Sequence, residues 1–226
     1  MNPDNLVFRI ATWLIPLVFA IVLHEISHGW VANAFGDPTA RRKRRLSLNP
    51  LRHVDPIGTV ALPLFLAVSG APVFGWAKPV PVVQRRLRNP RFHMMLVALA
   101  GPGMNLLLAV LAALALAGLR WLAPGDSVFW LFLYFNLANF LIINIFLAVF
   151  NMLPIPPFDG SHVVEGLLPR PMAARYRSLG RFGFPFLLLL LVALPMLAPR
   201  LNLVAAVVEP PVRFLVTLLG LPLTQG

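Results

Sequence analysis

Residues 10–35, 92–119 and 128–153 are apolar runs long enough to cross about 30 Å of hydrocarbon as helices, and residues 182–197 form a shorter fourth run. These runs decide the solvent. Of 226 residues 58% are hydrophobic and 12% charged, with a mean hydropathy of +0.79, more apolar surface than a water-soluble domain of this length can bury. The expected class is an all-α polytopic membrane protein with the lipid bilayer as its surroundings. Cysteine is absent, which removes disulfides and thiolate ligands from consideration. The opening "MNPDNLVFR" has no cleavable signal pattern, so the first span is expected to be retained.

Charge places the loops. A net charge of +11 would suggest nucleic acid in a soluble protein, but the basic clusters lie between apolar spans rather than on an amphipathic face. They read as loops against anionic headgroups, with no nucleic-acid partner. "ARRKRRLSLNPLR" (40–52) and "KPVPVVQRRLRNPR" (78–91) are both strongly basic and are assigned to the cytoplasmic side. The apolar stretch 57–76 between them must then enter the membrane and return. Its β-branched and aromatic residues and the turn signal "SGAP" (69–72) predict a membrane-embedded, re-entrant β segment over about 57–83. Counting onward, the basic stretch 169–181 is again cytoplasmic. Residues 201–221 hold Glu209, Pro210, Pro211 and Arg213, and are expected to be interfacial or a broken pair of half-helices. The resulting scheme is one integral membrane domain over 1–226, with a core of about 10–165 and C-terminal helices over about 182–222.

Inside the first run, "HEISHGW" places His24, Glu25 and His28 where water is scarce. On a helix the two histidines lie about 40° apart in projection with Glu25 on the flank of the same face. Ionisable groups at membrane depth point to function, and His-Glu-x-x-His reads as two imidazole ligands for zinc with a carboxylate acting on the metal-bound water. A catalytic zinc takes a third protein ligand. Asp159 is the best candidate: it follows the third span in "NMLPIPPFDGSHVVEG", where Pro154, Pro156 and Pro157 stop the helix at the depth of the histidines. His162 and Glu165 are the fallback ligands. The third span carries Asn136, Asn139, Asn144 and Asn151 within an arc of about 140°. The first three are read as interhelical hydrogen-bonding groups, whereas Asn151, nearest Asp159, could donate to a substrate carbonyl or the oxyanion forming on it. Asn105 of "AGPGMN" is available to bond across helices, and His53 and His93 are read as interfacial side chains. A membrane metal-ion transporter is the alternative function.

Together "HEISHGW", "SLNPLRHVDPIGT", "GWAKPVPV", "AGPGMN" and "NMLPIPPFDGSHV" resemble the site-2 protease family of intramembrane zinc metalloproteases, over about two thirds of the chain. The resemblance implies a three-helix catalytic core, one zinc per chain on His24, His28 and Asp159, and Glu25 as catalytic base. It also implies Asn151 beside the zinc, a membrane-embedded β structure after the first core helix, and a transmembrane protein as substrate. The chain reads as a short form with no PDZ or CBS module, in the cell membrane with its site toward the cytoplasm.

Overall fold

A computed structural model describes residues 5–70, 75–122, 127–198 and 203–220. Asn5 caps the first helix, α1 (Leu6–Ala34), by accepting from the Val7 amide at 2.9 Å. Gly36, at φ +107°, ends it in a conformation that costs glycine little. Asn89 caps α2 (Pro90–Trp121), with Pro90 filling the first position where no intrahelical donor is needed. Then come α3 (Val128–Asn151), the short α4 (Asp159–Leu167), the helical run α5 (Arg170–Leu197) and α6 (Leu203–Leu218). Helices α1, α2, α3 and α5 are long and apolar enough to cross a membrane, so the protein is multi-pass.

Helices α1, α2 and α3 pack against one another, and α4 and α6 join them on α2 and α3 respectively. Small residues make the approach close: Ala109 and Ala112 of α2 lie buried against Leu141 and Ile145 of α3. Val216 of α6 completes that cluster. The polar stripe of α3 is partly interhelical, since Asn139 donates to the Thr12 carbonyl of α1 at 2.8 Å. Asn136 instead donates to Phe132 of its own helix at 2.8 Å.

Two expectations change. Residues 57–83 carry no strand among the described residues. Pro56–Ala61 forms a wide helical turn that runs into an α-helix, Leu62–Val68. Asp55 starts it, accepting from the amides of Ile57 (3.1 Å) and Gly58 (2.8 Å), and Pro56 takes the first helical position. Capping outweighs the weak β preference of the side chains. Residues 71–74, which include half of the expected turn, lie outside the described residues. Residues 75–83 carry no regular secondary structure and form no ladder; Pro79 and Pro81 have no amide donor to offer one. The second change is α6, a single helix through Pro210 and Pro211 rather than two pieces, with Glu209 and Arg213 ion-paired one turn apart.

The segment 75–83 is tied down at both ends. Near its start, the Trp76 amide donates to the Gly58 carbonyl at 3.0 Å and Thr59 Oγ1 donates to the Trp76 carbonyl at 2.9 Å. A Cβ on Gly75 would stand 2.4 Å from that Gly58 oxygen, so the approach requires glycine. Toward its end, the Val80 amide donates to Glu25 Oε2 at 2.7 Å and the Val83 amide to Asp37 Oδ2 at 2.6 Å.

Candidate metal centre

His24 and His28 project from α1 one turn apart, their rings edge to face with centroids 4.7 Å apart. A single stripe of α2 meets both. His28 Nδ1 lies 2.7 Å from the Val97 carbonyl and His24 Nδ1 lies 2.6 Å from Asn105 Oδ1. Between these two positions stands Gly101, where a Cβ would come within 2.4 Å of His28 Nε2 and 2.5 Å of His24 Cε1. Any side chain there would fill the space in front of the imidazoles. Both Nδ1 atoms face oxygens that only accept, so both carry the proton and both Nε2 atoms are left with lone pairs.

Asp159 closes the group. The chain leaves α3, turns through Pro154, Pro156 and Pro157, and opens α4 at Asp159. Its neighbour Gly160 packs on the chain end of α3, where a Cβ would meet the Met152 carbonyl oxygen at 2.3 Å. Asp159 Oδ2 then lies 3.2 Å from His24 Nε2 and 3.4 Å from His28 Nε2, which are themselves 3.1 Å apart. That oxygen is buried, with the two imidazoles as its polar neighbours. Three ligand atoms thus converge in a buried site, close enough together for one cation to be shared among them. Two imidazoles and a carboxylate, with a fourth direction kept clear by Gly101, fit the donor set of a catalytic zinc.

The other expected residues fall as follows. Glu25 is half-buried, with Oε2 held by the Val80 amide and no hydrogen bond to Oε1 among the described residues. Asn151 Nδ2 donates to the Leu147 carbonyl of its own helix at 3.0 Å. Such a bond uses one of its two amide protons. The fallback residues are not brought to the cluster: Glu165 is buried in a pair with Arg177 (Nε at 2.9 Å), with His162 4.0 Å from its second oxygen. His53 is buried in the protein, with Nε2 on the Ser47 carbonyl at 2.9 Å. Sequence reasoning did not assign Val97 and Gly101 to the site. The signal was available, since positions 97, 101 and 105 repeat at the four-residue spacing of the two histidines.

An apolar cavity of about 1130 Å³ lies between α1, α3, α5, α6 and the stretch from Gly58 to Ala77, and none of His24, Glu25, His28 or Asp159 lines it. Leu14, Val18 and Ile21 line it from α1, Phe146 and Phe150 from α3. Glu25 lies one turn beyond Ile21 on α1, and Asn151 directly follows Phe150.

Residues 122–191, which include Asn151 and Asp159, match the model of peptidase family M50. Among curated relatives is YwhC of Bacillus subtilis, 37% identical over 188 residues that cover 79% of this chain and 79% of the relative. Rip2 of Mycolicibacterium smegmatis is 33% identical over 193 residues, covering 85% of this chain and 68% of Rip2. Rip2 of Mycobacterium tuberculosis is 36% identical over 199 residues, 87% of this chain and 69% of the relative. Each is named "putative zinc metalloprotease". No solved structure matches the chain.

Proposed function

The chain belongs to peptidase family M50 and is an intramembrane zinc metalloprotease, and from that premise we propose how its residues divide the work. His24, His28 and Asp159 hold one zinc ion. The convergence of His24 Nε2, His28 Nε2 and Asp159 Oδ2 is the observation that carries this reading. When bound, the ion supplies Lewis acidity, polarising the scissile carbonyl and acidifying water.

Glu25 is the general base. Oε2 is oriented by the Val80 amide, which leaves Oε1 to take the proton from the attacking water and return it to the leaving amide nitrogen. Asn151 spends one amide proton on Leu147 and keeps the other for the carbonyl oxygen of the substrate, where negative charge develops.

The substrate is a transmembrane segment of another protein. A membrane helix cannot be cut as a helix, because its carbonyls are bonded to its own amides, so the segment must unwind locally. The apolar cavity between α1, α3, α5 and α6 offers a lipid-sheltered space for it. Residues 75–83 border that cavity through Gly75, Trp76 and Ala77, where the unwound strand would lie. The half-helix Pro56–Leu66 is too short to cross a bilayer, which supports a stretch that enters and returns between the two basic loops. Those loops face the cytoplasm of a cell membrane, with the metal centre toward that side, and residues 1–226 act as one membrane domain.

The deciding experiment is cleavage of tagged single-span proteins by reconstituted wild type and Glu25→Gln, with zinc measured in both. Cleavage within the span by the wild type alone, with zinc in both proteins, is the expected result. Zinc flux that survives Glu25→Gln, with no cleavage, would establish a transporter instead.

A further inference from the structure

The His24 ring is held by more than the residue it touches. Asn105 and Asn144 are both completely buried, and their amides form a directional chain across three helices. It begins at Phe140 of α3, whose carbonyl accepts from Asn144 Nδ2 at 2.7 Å. A backbone carbonyl can only accept, so the Asn144 amide is fixed with Oδ1 toward α2. There it accepts from Asn105 Nδ2 at 2.7 Å, and the same nitrogen faces the Ala20 carbonyl of α1 at 3.4 Å. Asn105 must therefore present Oδ1, not its nitrogen, to His24 Nδ1 at 2.6 Å.

We propose that Asn144 is a positioning residue for the metal centre, acting through Asn105 to keep the His24 proton on Nδ1 and the Nε2 lone pair free. Turning the Asn105 amide over would set its oxygen against the oxygens of Asn144 and Ala20, and its nitrogen against His24 Nδ1. His24 would then have to accept at Nδ1 and carry its proton on Nε2, the atom aimed at His28 and Asp159. A protonated Nε2 cannot ligate. Asn144 thus touches neither metal nor histidine, yet sets the tautomer that makes His24 a ligand, and it makes α3 a contributor to an affinity whose histidines sit on α1. His28 has no such dependence, since its Nδ1 donates to a Val97 carbonyl that cannot turn over.

The proposal rests on His24 serving as a metal ligand, and its test separates the two. Zinc affinity is measured by chelator competition on the metal-stripped, detergent-purified full chain, for wild type, Asn144→Leu, Asn105→Asp and the double variant. Asn144→Leu should weaken zinc roughly 10- to 100-fold. Asn105→Asp presents an oxygen to His24 whichever way it turns, with its second oxygen set against Asn144 Oδ1 and the Ala20 carbonyl, so its own affinity serves as the reference for the double variant. Asn144→Leu should then cost nothing further in the Asn105→Asp background, since no amide remains to turn over. A helix-packing role alone would give the same loss in both backgrounds. That result, or an unchanged affinity in Asn144→Leu, overturns the proposal. Should Asn144→Leu fail to fold, the metal-free wild type still decides: ¹⁵N-histidine spectra should show His24 Nδ1 protonated, and a bare Nδ1 overturns the relay. Because that spectrum involves no metal, a chain that binds no zinc but shows the Nδ1 proton refutes the ligand assignment and leaves the relay standing.

Discussion

Glu25, inside α1, and Asp37, just past its end, each accept a backbone amide from the same segment, 75–83, Val80 for one and Val83 for the other. Their surroundings make them different chemical objects. Asp37 is completely buried and fully employed: Oδ2 takes the Val83 amide, while Oδ1 takes both the amide and the hydroxyl of Thr39. The Arg86 guanidinium stands 3.9 Å from Oδ1. Glu25 is half-buried and half-employed, its second oxygen left unbonded by the described protein. A carboxylate bonded through both oxygens anchors a chain, whereas one oriented by a single donor can still exchange a proton. The segment 75–83 is thus fastened at Asp37 and doubles as the support for the base at Glu25.

The contrast can be broken by substitution. Glu25→Gln keeps the size and an acceptor for Val80 but removes the base; cleavage by reconstituted protein should fall about a thousandfold, with zinc content unchanged. Asp37→Ala should do the reverse. It strands the Val83 and Thr39 donors and should cost about 3 kcal/mol in denaturation, with cleavage per folded molecule within a few fold of wild type. If Asp37→Ala instead abolishes turnover in folded protein, the division between anchor and base is wrong. Gly101→Ala sets a methyl against both imidazoles and should cost about 2 kcal/mol, read as a zinc affinity lowered at least tenfold with α1 still helical by circular dichroism. The smallest effect is expected at the shared segment. Val80→Pro removes the amide that orients Glu25 and should slow cleavage about tenfold, or about 1.4 kcal/mol, without releasing zinc; unchanged cleavage would deny that the bond matters.

Hydropathy alone carried the spans, because a helix long enough for the bilayer writes itself as an unbroken apolar run. The gathering of His24, His28 and Asp159 was legible too, through helical spacing in one case and a proline-terminated span in the other. The stretch after Asp55 was misjudged because Val, Leu and Phe fit either structure once one face is lipid. The better signal was local: Asp followed by Pro is a helix start, and two prolines in "KPVPVV" cannot supply a ladder. Asn144 illustrates a different limit. Projection put it on a polar stripe, but a stripe gives direction without partners. The bonded chain to His24 depends on where α2 stops in rotation against α3.

That rotation has a consequence for how the second span can change over time. Val97, Gly101 and Asn105 serve the two histidines from successive turns of one helix, so α2 acts as a vernier scale laid against α1. One residue inserted between Val97 and Asn105 would swing everything beyond it by about 100°, taking the His24 contact out of phase while the His28 contact stayed in register. Substitution on the outward side, at Leu106, Leu107 or Val110, changes only what the lipid sees. On that outward side the span is free to drift in composition, while its count is held fixed.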